Sequence, residues 1–268
     1  MTGVIFPSRH AGCTIIVTGV SRGIGRAIAE RLSAEGARLV LTGGPGEEAL
    51  LMAVAGECGE ALALAGDLAD PDLPGRLVQA ALERFGGLDG IVNNAFAEEA
   101  GSVEAVSLEG WDRTLRVTLT APMLLAKAAL PALRRSGHGA IVNIASQRAF
   151  ASGHAAAAYE SAKGGLVTLT RSLAVDYGPE GIRSNCLSPG LIFSERVQQW
   201  LAAGPRRAEA MGAAIALRRP GLPSEIASVV AFLLSEEAAY INGAVIPVDG
   251  GALAGLPENA ALALTGGA

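Results

Sequence analysis

Short apolar runs alternate with longer segments in which apolar residues recur at helical spacing, almost from one end of the chain to the other. Thr14–Thr18, Arg38–Thr42, Ala61–Ala65, Gly90–Asn93, Ala140–Ala145, Ile182–Leu187 and Ala244–Val248 are the seven predicted strands. Between the first two, Ile24–Glu35 sets Ile24, Ala27, Ile28 and Leu32 on one helical face and stops near Gly36. Ala158–Tyr177 and Ser224–Leu234 also read as helices. A long helix is predicted over Leu108–Arg135, interrupted or bent at Pro122 and Pro131, because proline lacks the amide N–H and crowds the preceding turn. Strands that are apolar along their length and separated by helices are what a parallel sheet covered on both faces requires. Right-handed crossovers make such a sheet doubly wound and place ligands beyond the carboxyl ends of its strands. The expected fold class is α/β, a single doubly wound domain with a seven-stranded parallel sheet flanked by helices. No linker divides residues 1–268.

Composition narrows the partners. Half of the residues are hydrophobic and only 4% aromatic, so the core is built from Ala, Val, Leu and Ile. A formal net charge of −5, with no basic cluster longer than a pair such as Arg134–Arg135, argues against nucleic acid, which needs a dense cationic surface. No apolar run reaches membrane-spanning length, and Met1–Gly12 lacks the pattern of a signal peptide, so a cytoplasmic location is expected. Cys13, Cys58 and Cys186 are odd in number and far apart, which reads as reduced thiols. Neither they nor His10, His138 and His154 show metal-ligand spacing.

Candidate chemistry begins directly after the first strand, with Thr18-Gly19-Val20-Ser21-Arg22-Gly23-Ile24-Gly25. Glycines allow a tight turn and close approach to a pyrophosphate, and the helix they open offers unpaired N–H groups to anionic oxygens. An ordinary glycine-rich strand-to-helix turn would look similar, but its place between a strand and a helix favours the cofactor reading. TGVSRGIGRAIA resembles the cofactor turn of the short-chain dehydrogenase/reductase family, notably its 3-oxoacyl-carrier-protein reductases, and the likeness runs over residues 13–251. Asp89-Gly90-Ile91-Val92-Asn93-Asn94-Ala95, Ser188-Pro189-Gly190, Arg219-Pro220-Gly221 with Glu225-Ile226-Ala227, and Val248-Asp249-Gly250-Gly251 are similar to further motifs of that family. The resemblance implies a Rossmann domain and a nicotinamide cofactor. It assigns cofactor contacts to Gly19, Ser21, Arg22, Gly23, Ile24 and Gly25, to Asp67 and Leu68 at the adenine, to Asn94 and Ala95, and to Pro189, Gly190, Ile192 and Ser194 beside the nicotinamide.

Tyr159 and Lys163 stand four residues apart, which on a helix puts them on one face. A phenol with a pKa near 10 is a poor acid or base at neutral pH. An ammonium about 4 Å away contributes on the order of 4 kcal/mol at a surface-like dielectric, enough to lower that pKa by about two to three. The same spacing could simply decorate an amphipathic helix, but only two of the 21 basic residues are lysine, Lys127 and Lys163. In a chain this biased toward arginine, a lysine at that place has a chemical reading. By resemblance Ser146, 13 residues before Tyr159, hydrogen-bonds the substrate oxygen; on its own it also reads as a strand-end residue bonding backbone. Resemblance likewise makes Tyr159, Lys163 and Ser146 the catalytic set of a carbonyl–alcohol oxidoreductase, with Tyr159 and Lys163 also touching the cofactor.

Three positions depart from the family pattern. Thr118 stands where the family's central helix usually carries an asparagine that holds a water in a proton relay; its hydroxyl is expected to bond a helix carbonyl or that water. Phe96 replaces the glycine of NNAG, and Ser194 replaces a threonine. At the end of the second strand, where a carboxylate would select the unphosphorylated ribose, Gly43 precedes Gly44-Pro45-Gly46. With Arg22 available to a 2′-phosphate, NADP(H) is expected ahead of NAD(H). Phe193, Val197, Trp200, Leu201, Met211 and Ile215 in the Leu191–Leu222 segment point to a hydrophobic or ring-bearing small-molecule substrate, or to helices packed on the domain. Arg196, Arg206 and Arg207 read as surface charge or as contacts to an acidic substrate. Resemblance implies a homotetramer, and leaves residues 252–268 as a tail that is either unstructured or laid over a neighbouring subunit. The alternative to an active oxidoreductase is a cofactor-binding homologue with weak or no catalysis, for which Thr118 and Phe96 speak.

Overall fold

The computed structural model describes residues 4–204 and 207–255. In chain order its elements are β1 (Thr14–Thr18), α1 (Gly23–Ala34), β2 (Arg38–Thr42), α2 (Glu48–Glu57), β3 (Ala61–Ala63), α3 (Leu73–Phe85) and β4 (Gly90–Asn93). Then follow α4 (Leu108–Leu115), a π-helical turn at Arg116–Thr120, α5 (Ala121–Ser136), β5 (Ala140–Ile144) and α6 (Ala157–Tyr177). β6 (Arg183–Pro189), α7 (Glu195–Ala202), α8 (Arg207–Ala214), α9 (Pro223–Leu234) and β7 (Val245–Val248) complete them.

The seven strands form one sheet in the order β3-β2-β1-β4-β5-β6-β7, with every pair parallel. Side chains alternate across a strand, so each strand feeds two cores. Ile15, Val17, Leu39, Leu41, Val142 and Ile144 join α1 and α9 on one face. Ile16, Val40, Ile91 and Ile141 meet α3 and α5 on the other. The chain winds outward from β1 to β3, then returns to place β4 on the opposite side of β1. That reversal opens a crevice at the carboxyl ends of β1 and β4, where the glycine turn and the Asn93-Asn94 pair both emerge.

The doubly wound α/β expectation holds, with shifts at element ends. The third strand stops at Ala63 rather than Ala65, and the sixth runs on to Pro189. α2 and α3 join the sequence-based set. The predicted Leu108–Arg135 helix is indeed interrupted, but ahead of Pro122, by the π turn at Arg116–Thr120. Pro122 has no N–H for the carbonyl four residues earlier, that of Thr118, and the ladder is rerouted through longer-range bonds there. Pro131 leaves α5 unbroken to Ser136. The 256–268 part of the tail and Arg206 lie outside the described residues, as do the side chains of Arg196, Trp200, Leu201 and Arg207.

A buried polar ladder fixes the elements that carry the site. The Asn93 amide donates to Asn143 Oδ1 (2.8 Å), the Asn143 amide to Thr170 Oγ1 (2.9 Å), and the Thr170 hydroxyl to Leu166 O (2.8 Å). It ties β4 to β5 and β5 to α6 through groups with no access to water. Asn143→Ala would strand two such groups, and we expect about 2–4 kcal/mol of destabilisation in urea unfolding. Stability within about 0.5 kcal/mol of wild type would show that the ladder is dispensable.

Candidate active site

β1 leads into a turn that tolerates no side chain at two of its glycines. Gly19 has φ of 70°, and a Cβ there would fall 2.8 Å from Ala95 Cα. A Cβ on Gly25 would clash with the Gly19 carbonyl and stand 2.5 Å from Asn94 Nδ2. Asn94 clamps the turn by donating to Thr18 O and Gly19 O, both at 2.9 Å. Thr18 Oγ1 answers by accepting from the N–H groups of Asn94 (3.0 Å) and Ala95 (3.1 Å).

The turn presents α1 end-on. Among the described residues no side chain caps this helix, and its first turn holds no acidic residue. Its leading N–H groups and positive dipole end therefore face the crevice unneutralised. Ser21 Oγ is buried there with no partner among the described residues. An uncapped N-terminus, a backbone that approaches without side chains and an orphaned hydroxyl fit the pyrophosphate and ribose of a dinucleotide.

The other expected cofactor positions fall into two groups. Gly190 packs so closely on Asp249 that a Cβ would stand 2.8 Å from its Cα, and Gly190 N donates to Val248 O (3.1 Å). Ile192 is buried and bridges Gly221, which turns the chain back until Ser194 Cβ lies 4.0 Å from the space over Gly23. Pro189, at the end of β6, Gly190, Ile192 and Ser194 thus line the loop that returns to the glycine turn. Asp67 and Leu68 follow β3 and are tied to the end of β2 by Gly66 N donating to Gly43 O (3.2 Å). Asp67 accepts from Arg113 (2.9 Å) and Ala69 N (2.9 Å), while the Leu68 side chain packs on the core. Arg22 is not free at the rim. It pairs with Glu47 at 3.1 Å, a carboxylate that the strand register had not put at this end.

Ser146, just beyond β5, caps a short 3₁₀ turn, Oγ accepting from Arg148 N at 3.2 Å. It does bond backbone, as a strand-end serine would, and its O–H remains to donate. Tyr159 and Lys163 lie one turn apart on α6. Lys163 is 2% exposed, and its Nζ donates to Ile144 O at 2.6 Å, tying α6 to the strand that carries Ser146. Nζ is 5.6 Å from the Tyr159 ring centroid and 5.7 Å from that of Phe96. Burial draws the Lys163 pKa down to about 8, and the neighbouring Cys186 thiol is pushed up to about 11 by the same cause. At neutral pH the ammonium is charged and the thiol is not.

Two departures from the family pattern resolve structurally. Phe96 is half exposed, and its ring packs edge-to-face with Tyr159, centroids 5.7 Å apart at 70°. Thr118 does not bond a helix carbonyl. Its Oγ1 accepts from Ala97 N (3.1 Å) and donates to Ala97 O (3.3 Å), holding the loop that presents Phe96. Sequence reading had missed Glu47, the Asn143–Thr170 ladder and Gln147, whose Oε1 is buried without a partner among the described residues. A glycine-rich turn running into an acidic helix start was the available signal for Glu47.

A family model described as Enoyl-(Acyl carrier protein) reductase matches residues 19–252. The meso-2,3-butanediol dehydrogenase of Serratia marcescens is 38% identical over 241 residues, 90% of this chain and 94% of that protein. The levodione reductase of Leifsonia aquatica is 37% identical over 263 residues, 94% and 98% of the two chains. A crystal structure of glucose/ribitol dehydrogenase type from Brucella melitensis superposes with a TM-score of 0.84 at 37% identity, covering 93% of this chain and 99% of that one. The chain belongs to the short-chain dehydrogenase/reductase family. It is an oxidoreductase acting on CH–OH groups.

The buried lysine carries a testable energetic signature. Its pKa falls from 10.5 unfolded to about 8 folded, so folding disfavours the charged form by on the order of 3 kcal/mol below pH 8. Wild-type stability rises with pH between about 8 and 10.5, where only the unfolded chain still binds this proton. We expect Lys163→Met to be at least as stable as wild type at pH 7, with its advantage shrinking toward pH 10.5 in paired thermal melts. A variant markedly less stable at pH 7 would mean that the Ile144 bond outweighs the desolvation.

Proposed function

We propose that the chain interconverts a carbonyl and a secondary alcohol with NAD(P)(H), using Tyr159 as the acid/base. The observation that carries this is the Lys163 ammonium, buried beside the Tyr159 ring and anchored on the strand that ends in Ser146. A bound nicotinamide would supply or accept the hydride. Tyr159 gives its phenolic proton to the carbonyl oxygen, or takes it from the alcohol, while the Ser146 hydroxyl donates to that oxygen and orients it. The Lys163 charge favours the phenolate and so brings the phenol's acidity toward neutral pH. Gly19, Ser21, Gly23, Ile24, Gly25, Asn94 and Ala95 hold the dinucleotide. Arg22 receives a 2′-phosphate and gives NADP(H) precedence over NAD(H). A Beutenbergia cavernae structure provisionally assigned as an NAD(P) dependent gluconate 5-dehydrogenase contains NADP at low occupancy, at 35% identity and a TM-score of 0.84, which supports this.

The substrate side is apolar. Phe96, Phe150 and Phe193 are all between 41% and 51% exposed, on loops that follow β4, β5 and β6 at the carboxyl edge of the sheet. A ring-bearing or otherwise apolar ketone or alcohol suits them. We propose a cytoplasmic homotetramer as the working form. No helix of the described residues is long and apolar enough to cross a membrane.

Tyr159→Phe should lower kcat at least about a hundredfold while leaving the dissociation constant for the reduced cofactor within about threefold. Near-normal turnover would sink the assignment of Tyr159. A wild-type chain that binds cofactor but turns over no ketone or alcohol in a broad panel would favour the non-catalytic alternative, for which the engaged Thr118 hydroxyl speaks. Phe96→Ala should raise KM for a cyclic ketone about fivefold to tenfold, with a smaller effect on small acyclic ones. Equal effects on both would place Phe96 outside substrate recognition.

A further inference from the structure

In doubly wound folds the carboxylate that receives the adenosine ribose hydroxyls stands at the end of the second strand. Here that place is Gly43, which carries no carboxylate. A Cβ on Gly43 would meet Ser21 Oγ, which would have to rotate away, so in this structure the hydroxyl of the glycine turn fills the space. The chain then turns through Gly44-Pro45-Gly46, with φ of 78° at Gly46, and Glu47 N donates back to Gly44 O (3.2 Å). This reversal returns the Glu47 carboxylate over the strand end, Oε2 lying 3.9 Å from the space above Gly44. Its other oxygen meets Arg22 at 3.1 Å.

We infer that Glu47 is the cofactor-discriminating carboxylate of this chain, delivered from the start of α2 instead of from β2, and that its ion pair with Arg22 holds the preference for NADP(H) to a narrow margin. The inference deepens the proposed function and rests on its dinucleotide site. A 2′-phosphate carries close to two negative charges and needs Arg22, but reaches it only by displacing or adjoining Glu47. A plain ribose hydroxyl can instead donate to Glu47, with Arg22 keeping that carboxylate in place. Neighbouring charges do not replace either partner. Arg26 is committed to Glu30 (2.6 Å) and Glu57 (2.7 Å), and the exposed Glu48 folds back to accept from Gly46 N (3.1 Å). Arg22 and Glu47 are 60% and 33% exposed at the side chain, so both are accessible to a ligand.

The test is binding, read by nicotinamide fluorescence on titrating full-length protein with NADPH and with NADH, without substrate. Wild type is expected to hold the two within about tenfold of one another, and Glu47→Gln to shift the ratio of dissociation constants toward NADPH by about tenfold. Arg22→Gln should shift it the other way by a similar factor. Because the effect is charge on charge at an accessible site, the Glu47→Gln shift should shrink between ~50 and ~500 mM NaCl. Glu47→Ser, which keeps a side chain able to start α2, should reproduce the direction. A ratio unchanged within about twofold in both Glu47 variants, with wild type binding either dinucleotide, would overturn this inference alone. Failure of wild type to bind both would overturn the dinucleotide reading and this inference with it.

Discussion

An ammonium taken wholly out of water is among the more expensive groups a fold can carry, and Lys163 is such a group. Ile144 O accepts a hydrogen bond from it, and the ring centroids of Phe96 and Tyr159 lie within 5.7 Å of the charge. Remove the charge and α6 gains an apolar side chain in a sheet-facing position, where its neighbours Leu166 and Val167 already sit buried. Stability therefore does not account for the lysine. What the charge does is fix three things at once: the height of α6 above β5, the electrostatic surroundings of the Tyr159 phenol, and the distance between Tyr159 and the strand end that bears Ser146.

The end of β4 supplies the complementary half of the site by packing unlike tasks into consecutive residues. Asn93 points into the buried ladder toward β5 and α6, Asn94 grips the glycine turn, and Ala95 closes against Gly19. Phe96 then meets Tyr159, and Ala97 is stapled to Thr118 on the π turn. That turn exists because Pro122 cannot bond the Thr118 carbonyl. The helix defect and the aromatic contact on Tyr159 are thus adjacent: Thr118, on the π turn, holds the loop that carries Phe96.

Much of this was legible in the chain. Most strands could be read because a parallel sheet buried on both faces leaves an unbroken apolar run, although β6 carries Arg183, Ser184 and Asn185 within it. Tyr159, Lys163 and the glycine turn could be read because helical and turn chemistry are local in sequence. α2 lacked a signal, since Leu51 and Val54 inside are matched by the exposed Leu50 and Met52 outside, leaving no polar face to betray it. The displacement of the helix break ahead of Pro122 follows from a hydrogen bond that proline denies to a residue four positions earlier, which a count of prolines does not locate. Glu47 left only a weak signal, a glycine-rich turn running into an acidic helix start, because its place at the crevice rim depends on a chain reversal that brings it back over Gly44. Side chains that act across space after a turn do not announce themselves by register.

The two ends of the crevice treat charge oppositely, and dielectric surroundings give the reason. At the catalytic end a lone ammonium is shielded from solvent, where an opposing carboxylate would tie up its field and quench its effect on the phenol. At the glycine-turn end Arg22 and Glu47 face water as a neutral pair, where each charge is screened and neither need be desolvated in full. A protein that must perturb one proton at one oxygen benefits from an uncompensated buried charge. A protein that must admit a dinucleotide with or without an additional phosphate benefits from a pair that either ligand can rearrange at small energetic cost. The same sheet edge serves both because β1 and β2 end in glycine turns open to solvent, while β5 and β6 end beneath α6.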